Sequence, residues 1–237
     1  MNNVVAGKHF FDRRERFIKK GSPAAENVAR LRHQYEAIVT RNRDLFRGAR
    51  VLDLMSSHGF WSLAAIDAGA SHVTGIDPSR EAVEAAKQGF AEYPIDTKSY
   101  QFINSPVPKA LRGLKPDAID LVLCHGFLEL VDPRFFFKQM ARLRPKHIIL
   151  DTRVVRGQGR IVRFALRSGE APAGRYKNIT TIPNHDLIAF LCDYFQFRLH
   201  QIDWQTMGIT NWTGIADYES DRRRTYVLDR AATEQKK

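Results

Sequence analysis

Short apolar segments alternate with amphipathic segments along most of the chain, and this alternation limits the fold more than any other feature. The segment Arg50–Met55 reads RVLDLM, an apolar run typical of a strand buried on both faces. Six more short strands are predicted, at His72–Ile76, Tyr100–Asn104, Ile119–Cys124, His147–Leu150, Phe197–Ile202 and Thr225–Leu228. Helices are predicted between them at Phe60–Ala68, Arg80–Phe90, Pro133–Leu143 and Leu187–Tyr194. Alternating strands and helices predict an α/β fold with a doubly wound, mostly parallel seven-stranded sheet.

The predicted sheet domain, residues 48–230, is accompanied by three segments of different character. Pro23–Phe46 carries apolar residues at three- and four-residue spacing, so residues 1–47 are predicted to form a helical arm that caps the substrate. Residues 152–182 follow the fifth strand, are rich in arginine and glycine, and contain one strand-like run, Arg160–Leu166. We expect an insertion at the rim of the site there, and a flexible tail at residues 231–237.

The charge of the chain points to an anionic partner. The 237 residues include 37 Lys+Arg and 26 Asp+Glu, for a formal net charge of +11. Basic and acidic residues balance between residues 48 and 151, so the surplus lies in the arm and after Asp151. We interpret it as matching an anionic small molecule, with RNA as the less favoured partner.

Other features favour a cytoplasmic protein without a membrane partner. No apolar run approaches the roughly 20 residues that a membrane-spanning helix needs. The first twenty residues are polar and basic, unlike a secretory signal. The two cysteines, Cys124 and Cys192, are expected to be reduced thiols.

The turn after the first strand is the most informative part of the sequence. It runs from Asp53 through Ser56, Ser57 and Gly59 into a helix, and the second strand ends at Asp77. In doubly wound sheets ligands bind outside the carboxyl ends of the strands, where such an acid can accept hydrogen bonds from ribose hydroxyls. One glycine in place of a G-x-G-x-x-G pattern argues against a pyrophosphate cradle and favours a nucleoside without phosphates.

The stretches VLDLMSSHGFWSL (51–63), GASHVTGID (69–77) and HIILD (147–151) resemble class I S-adenosylmethionine-dependent methyltransferases. In detail they look most like bacterial small-molecule or sugar O-methyltransferases. The resemblance implies that S-adenosylmethionine is the cofactor, that the first turn holds its methionine part, and that Asp77 holds its ribose. The cofactor-binding residues implied are Asp53, Ser56, Ser57, Gly59, Phe60, Trp61, Asp77, Pro78, Ser105 and Cys124. Two positions depart from the family: Met55 replaces a glycine, and Ser105 stands where an acid near adenine is common.

The catalytic candidates follow the fourth and fifth strands. His125 and Glu129 lie in the loop that faces the transferred methyl group in the family, and Asp151 ends the fifth strand. A histidine could remove the proton from a hydroxyl acceptor. Alternatively, Asp151 and Glu129 could ligate a divalent ion such as Mg²⁺, which would lower the pKa of that hydroxyl.

The expected acceptor is a small, anionic or sugar-like alcohol. Arg153 and Arg160 of the insertion suit an anionic group, and Trp204 is a candidate for stacking on the acceptor. The alternative enzyme is a methyltransferase that modifies tRNA or another RNA, because Gly59–Leu63 (GFWSL) loosely resembles wobble-uridine tRNA enzymes. The non-enzymatic alternative is a catalytically silent methyltransferase fold that only binds a partner.

Overall fold

The computed structural model describes residues 28–166 and 179–231. Nine strands lie in this part of the chain: β1 Arg50–Leu54, β2 His72–Asp77, β3 Tyr100–Asn104, β4 Leu121–His125, β5 His147–Arg153, β6 Val162–Leu166, β7 Ile179–Pro183, β8 Phe197–Ile202 and β9 Arg223–Arg230. Seven of them form one sheet in the order β3-β2-β1-β4-β5-β9-β8. Strands β1 to β5 pair in parallel, and β9 is antiparallel to both of its neighbours. The predicted fold class is therefore confirmed.

Helices cover both faces of the sheet. They are α1 Val28–Tyr35, α2 Arg43–Phe46, α3 Phe60–Asp67, α4 Arg80–Ala91, α5 Val107–Gly113, α6 Pro133–Leu143, α7 His185–Tyr194 and α8 Ala216–Glu219, with a π-helical turn at Glu36–Thr40. Polar side chains fix where several helices begin, because they accept hydrogen bonds from first-turn amides. Asp132 does so for α6, Ser79 for α4 and Asn184 for α7. Helix α5 was not predicted.

Two hydrophobic cores lie on opposite faces of the sheet, because alternate side chains of a strand point to opposite sides. Leu121 and Leu123 of β4 belong to the core that also contains residues of α1, α3 and α4, which we call the arm-side core. Val122 and Cys124 belong to the opposite core, which contains residues of α6 and α7. By the same alternation His125, at the end of β4, lies on the arm side.

Strands β6 and β7 form a two-stranded antiparallel sheet of their own after β5. They lie in and at the end of the segment predicted to be an insertion. The observed β6 begins at Val162 rather than at the predicted Arg160, and β7 was not predicted. Phe164 and Leu166 of β6 are mostly exposed, at 71% and 83%. Residues 1–27 of the arm, 167–178 of the insertion and 232–237 of the tail lie outside the described residues.

No helix within the described ranges is long and apolar enough to cross a membrane.

Gly75 in β2 allows close packing beneath the turn after β1. A Cβ atom at this position would lie 2.6 Å from Cδ1 of Phe102 and 2.9 Å from Oγ of Ser56. We expect Gly75→Ala to lower the free energy of unfolding by about 1–3 kcal/mol, the usual cost of overpacking a core, as measured by urea denaturation.

Gly113→Ala is the matched control, because a Cβ atom on this residue, the last of α5, would meet no heavy atom within 4 Å. Its free energy of unfolding should change by less than about 0.5 kcal/mol. Equal losses in the two variants would contradict the steric explanation.

Candidate active site

The turn after β1 has a glycine-like backbone at two positions that are not glycine. Met55 and Ser57 adopt left-handed conformations with φ of 60° and 48°, a region that non-glycine residues rarely occupy. The turn is held by hydrogen bonds from the Ser56 amide to the Ile76 carbonyl at 3.1 Å and from the Gly59 amide to the Ser56 carbonyl at 2.9 Å. The turn is therefore tight even though Met55 stands where the family has a glycine.

Asp77 joins the ends of β1, β2 and β3. One carboxylate oxygen accepts from the Ser57 amide at 2.9 Å, and the other accepts from the Ser79 amide at 2.8 Å. The backbone carbonyl of Asp77 accepts from the Ser105 amide at 3.1 Å, so Ser105 and Pro78 lie beside this carboxylate. Since a carboxylate has about four acceptor positions, two remain for hydroxyl donors.

Asp53 and Ser56 carry buried polar atoms that lack a partner. Oγ of Ser62 donates to one carboxylate oxygen of Asp53 at 2.7 Å. The other oxygen of Asp53 and Oγ of Ser56 have no hydrogen-bond partner among the described residues. Burial, reinforced by the nearby charge of Asp77, raises the pKa of Asp53 to about 7. Unpaired buried polar atoms are rare in folded proteins, so this end of β1 is suited to a polar ligand.

Asp151, at the arm-side face of β5, is the centre of a second polar cluster. One carboxylate oxygen accepts from the hydroxyls of Thr225 at 2.6 Å and Tyr218 at 2.9 Å. The other accepts from Nε of Arg223 at 2.5 Å. Burial alone would raise the pKa of Asp151, but the charge of Arg223 and these hydrogen bonds outweigh it, and the pKa lies below its ordinary value. Asp151 is therefore a buried anion.

His125 lies between Asp151 and the turn after β1. Its Nδ1 is 3.5 Å from a carboxylate oxygen of Asp151, close but outside hydrogen-bond geometry. Its ring packs against Trp61 with 5.2 Å between ring centroids, and its Nε2 is 3.5 Å from the amide nitrogen of Gln34. Burial lowers the pKa of His125 to about 4, although the charge of Asp151 opposes the shift. The imidazole is thus neutral near pH 7 and able to accept a proton.

Glu129 is engaged by two arginines. Its Oε1 accepts from the Arg153 amide at 2.9 Å and contacts Arg223 at 3.3 Å, and its Oε2 accepts from Nε of Arg153 at 2.5 Å. No group of three His, Cys, Asp or Glu side chains able to hold a metal occurs within the two described ranges. Guanidinium groups already compensate the charges of both Asp151 and Glu129. The hypothesis that these two carboxylates ligate Mg²⁺ therefore finds no support.

Three predicted site residues lie elsewhere. Cys124 points into the core opposite the arm side, so its side chain is not available to a cofactor. Trp204 is 4% exposed and stacked on Tyr218 at 3.6 Å, and its indole nitrogen donates to Thr225. It is therefore a packing residue, and the prediction that it stacks on the acceptor is wrong. Arg160 lies over the ring of Phe190 at 3.7 Å, and no contact with the Asp151 cluster is seen among described residues.

Phe60 and Trp61 begin α3 as predicted, with Phe60 buried and Trp61 against His125.

The structure also adds site residues that sequence reasoning missed. Gln34 donates to the hydroxyl of Tyr218 at 2.8 Å, which connects the arm to the Asp151 cluster. For Arg223 the local signal is the run of three arginines at 222–224, a pattern more typical of a solvated turn. Gln34, Tyr218 and Thr225 gave no local signal.

Comparison with known proteins identifies the central segment. Residues 51–146, from β1 to the turn between α6 and β5, match the family model described as a methyltransferase domain. The ribosomal RNA large subunit methyltransferase I of Alteromonas mediterranea is 29% identical over 135 residues, which are 56% of this chain and 34% of that protein. The chain therefore spans about a third of the length of this relative.

Solved structures share the fold. An S-adenosylmethionine-dependent methyltransferase from Mesorhizobium loti has a TM-score of 0.60 at 16% identity, over 84% of this chain and 98% of that chain. Magnesium protoporphyrin IX methyltransferase from Synechocystis, solved with bound S-adenosylmethionine, has a TM-score of 0.59 at 18% identity, over 95% of this chain and 93% of that chain. At these identities the likeness concerns the fold.

The protonation of His125 can be measured directly. Its ring resonances, followed by NMR from pH 3.5 to 8, should titrate with a midpoint near pH 4, because burial disfavours the charged imidazolium. Assignment comes from the signal lost in His125→Ala. A midpoint near the ordinary 6.5 would show that the imidazole is well solvated and would contradict the geometry.

Arg223 should be a major contributor to stability. Arg223→Met leaves Asp151 and Glu129 without their shared cation, and breaking a buried ion pair typically lowers the free energy of unfolding by about 3–5 kcal/mol. Urea denaturation at pH 7 measures this loss, with Arg222→Met, an exposed neighbour, as the control. A loss below about 1 kcal/mol would mean that Arg223 does not compensate these carboxylates.

Proposed function

We propose that this chain, whose residues 51–146 match a methyltransferase domain, is a class I S-adenosylmethionine-dependent enzyme that transfers a methyl group to a hydroxyl of a small acceptor. The observation that carries the proposal is the position of His125. Its neutral imidazole lies beside the buried carboxylate of Asp151 and against Trp61, at the start of the helix that follows the β1 turn. A proton acceptor at this place suits a nucleophile that must lose a proton.

The residues around the β1 turn fit S-adenosylmethionine. Asp77 has free acceptor capacity for two ribose hydroxyls, with its carboxylate fixed by the Ser57 and Ser79 amides. The unpaired oxygen of Asp53 and Oγ of Ser56 are suited to the ammonium and carboxylate of the methionine part. When bound, the cofactor supplies an electrophilic methyl group on a sulfonium. Pro78, Ser105 and Gly59 are proposed to complete the cofactor site.

His125 is proposed to accept the acceptor's proton at Nε2. Its Nδ1 faces Asp151, which would stabilise the imidazolium that forms. Asp151 is kept anionic by Arg223, Thr225 and Tyr218, so it is ready for that role. Burial raises the pKa of Tyr218, so its hydroxyl keeps its proton and donates to Asp151. The neutral imidazole can take up the proton as the methyl bond forms, and the charge of Asp151 would raise its affinity for that proton.

This chemistry needs no metal ion in the proposed mechanism. Arg223 occupies the place between Asp151 and Glu129 where a divalent ion would have to lie. The proposed roles are therefore proton acceptor for His125, positioning for Asp151, and structural charge compensation for Glu129. We propose that Arg153, which is bound to Glu129 yet partly exposed, borders the acceptor.

An RNA acceptor is the second candidate, and one observation favours it. The curated relatives that match part of this chain are ribosomal RNA methyltransferases, over 29% and 56% of its length. We prefer the small acceptor because the proposed proton acceptor is enclosed by Trp61, Gln34 and the Asp151 cluster.

Calorimetric titration with S-adenosylhomocysteine tests the cofactor site. Asp77→Ala should lower the affinity about 10–100-fold, because it removes charge-assisted hydrogen bonds to ribose. Asp44→Ala removes an exposed carboxylate that pairs only with Arg47 in the described structure, and it should leave the affinity unchanged. An Asp77→Ala affinity within twofold of wild type would refute the ribose assignment.

Methyl transfer from tritiated S-adenosylmethionine to a panel of sugar phosphates and hydroxy acids tests the chemistry. His125→Ala should reduce turnover about 10²–10⁴-fold, the usual contribution of a general base, while retaining S-adenosylhomocysteine binding. EDTA should not change the rate. Turnover that survives His125→Ala, or that is abolished by EDTA, would overturn the mechanism.

A further inference from the structure

Three arginines converge on one cleft just beyond the Asp151 cluster. The cleft has a volume of about 440 Å³ and is lined by Val154, Val155, Arg156, Arg163, Ser220 and Arg222. Arg156 follows β5, Arg163 lies on β6 and Arg222 precedes β9, so three separate segments bring their guanidinium groups to the same place. The lining contains three cationic side chains and no acidic one.

Hydrogen bonds hold two of the three arginine side chains of the cleft in place. Arg156 donates to the backbone carbonyl of Ser220 at 2.8 Å, and Arg222 donates to the hydroxyl of Ser220 at 3.0 Å. These bonds hold two guanidinium groups around the same residue. The Val154 amide also donates to the Arg222 carbonyl at 2.8 Å, which fixes the floor of the cleft to both strand ends.

Two nearby carboxylates are already engaged by other arginines. Asp221 pairs with Arg224, and Asp217 pairs with Arg30. Across residues 28–166 and 179–231, no ion pair to Arg156, Arg163 or Arg222 is found. Like charges gathered without a counterion repel each other, and an anion in the cleft would relieve that repulsion.

We propose that this cleft binds a phosphoryl group of the methyl acceptor. A phosphate presents three acceptor oxygens and up to two negative charges, which matches several convergent guanidinium groups better than a single carboxylate does. The volume lies within the usual range for small-molecule sites, about 300–1,000 Å³. That the bound anion belongs to the methyl acceptor rests on the proposed function. That the cleft binds an anion rests on the three arginines alone.

The position of the cleft determines how the acceptor would have to lie. Val154 directly follows β5, and Arg222 directly precedes β9, so the cleft lies at the same end of these strands as Asp151 and Arg223. Val154 belongs to the core opposite the arm side, whereas His125 lies on the arm side. An acceptor whose phosphoryl group binds in the cleft would therefore pass over the end of β5 to present its hydroxyl to His125.

Calorimetric titration with inorganic pyrophosphate, in low-salt buffer without phosphate, tests the cleft. The wild-type chain should bind one equivalent, and the double variant Arg163→Gln/Arg222→Gln should bind at least tenfold more weakly. The control Arg47→Gln/Arg134→Gln also removes two positive charges, but from exposed positions outside the cleft. Its affinity for pyrophosphate should be within twofold of that of the wild type. Equal losses in both double variants, or no binding by the wild type, would overturn the assignment.

A single variant guards against misfolding of the double variant. Arg163 is exposed, and its guanidinium makes no hydrogen bond to another described residue, so Arg163→Gln should fold as wild type by circular dichroism. We expect its affinity for pyrophosphate to be at least about threefold lower than that of the wild type. Unchanged affinity in this folded variant would contradict a phosphoryl site at this cleft.

A ten-nucleotide single-stranded RNA distinguishes the two sources of phosphate. RNA should bind more weakly than pyrophosphate and should be affected alike by the two double variants. The assignment of a small acceptor would be overturned if RNA bound more tightly than pyrophosphate and if this binding were lost only in Arg163→Gln/Arg222→Gln. S-adenosylhomocysteine is titrated into the same proteins. Its failure to bind the wild type would contradict the proposed function while leaving the anion assignment standing.

Discussion

The buried carboxylate of Asp151 is the interaction on which the rest of the site depends. An uncompensated charge at this depth is strongly unfavourable, so the chain must bring a cation and hydrogen-bond donors to it. Arg223 and Thr225 come from β9, and Tyr218 comes from α8. Burying this one anion therefore connects the antiparallel part of the sheet to its parallel part, and Gln34 extends the connection to the arm.

The same charge compensation shapes the chemistry. Because Arg223 satisfies both Asp151 and Glu129, the acidic pair is an ion-paired scaffold rather than a ligand set for a metal. His125 is left as a titratable group with a neutral ring, next to the turn that is proposed to hold the cofactor. Part of the net positive charge of the chain lies outside this cluster, at Arg156, Arg163 and Arg222, which line one cleft.

Local patterns in the sequence predicted the seven strands of the main sheet and its longer helices, because apolar periodicity and capping residues act over a few positions; β7 was not predicted. Tyr100–Asn104, Pro133–Leu143 and Phe197–Ile202 were predicted to the residue. Helix α5 was missed because it is short and carries Pro108. The turn acids Asp53 and Asp77 were found because their spacing follows strand ends. Tyr218 was missed because it meets Asp151 across 67 residues of chain, and no local pattern records that contact. Trp204 was misassigned for the same reason, since its partner Tyr218 was unknown.

A crystal structure of the complex with S-adenosylhomocysteine would test the central claim most directly, because it fixes the sulfur relative to His125. The account predicts that the ribose hydroxyls bind the carboxylate of Asp77. It also predicts that the sulfur lies on the arm side of the sheet, facing the space beside Nε2 of His125. A ligand that binds away from Asp77, or a sulfur separated from His125 by the β4 strand, would contradict it.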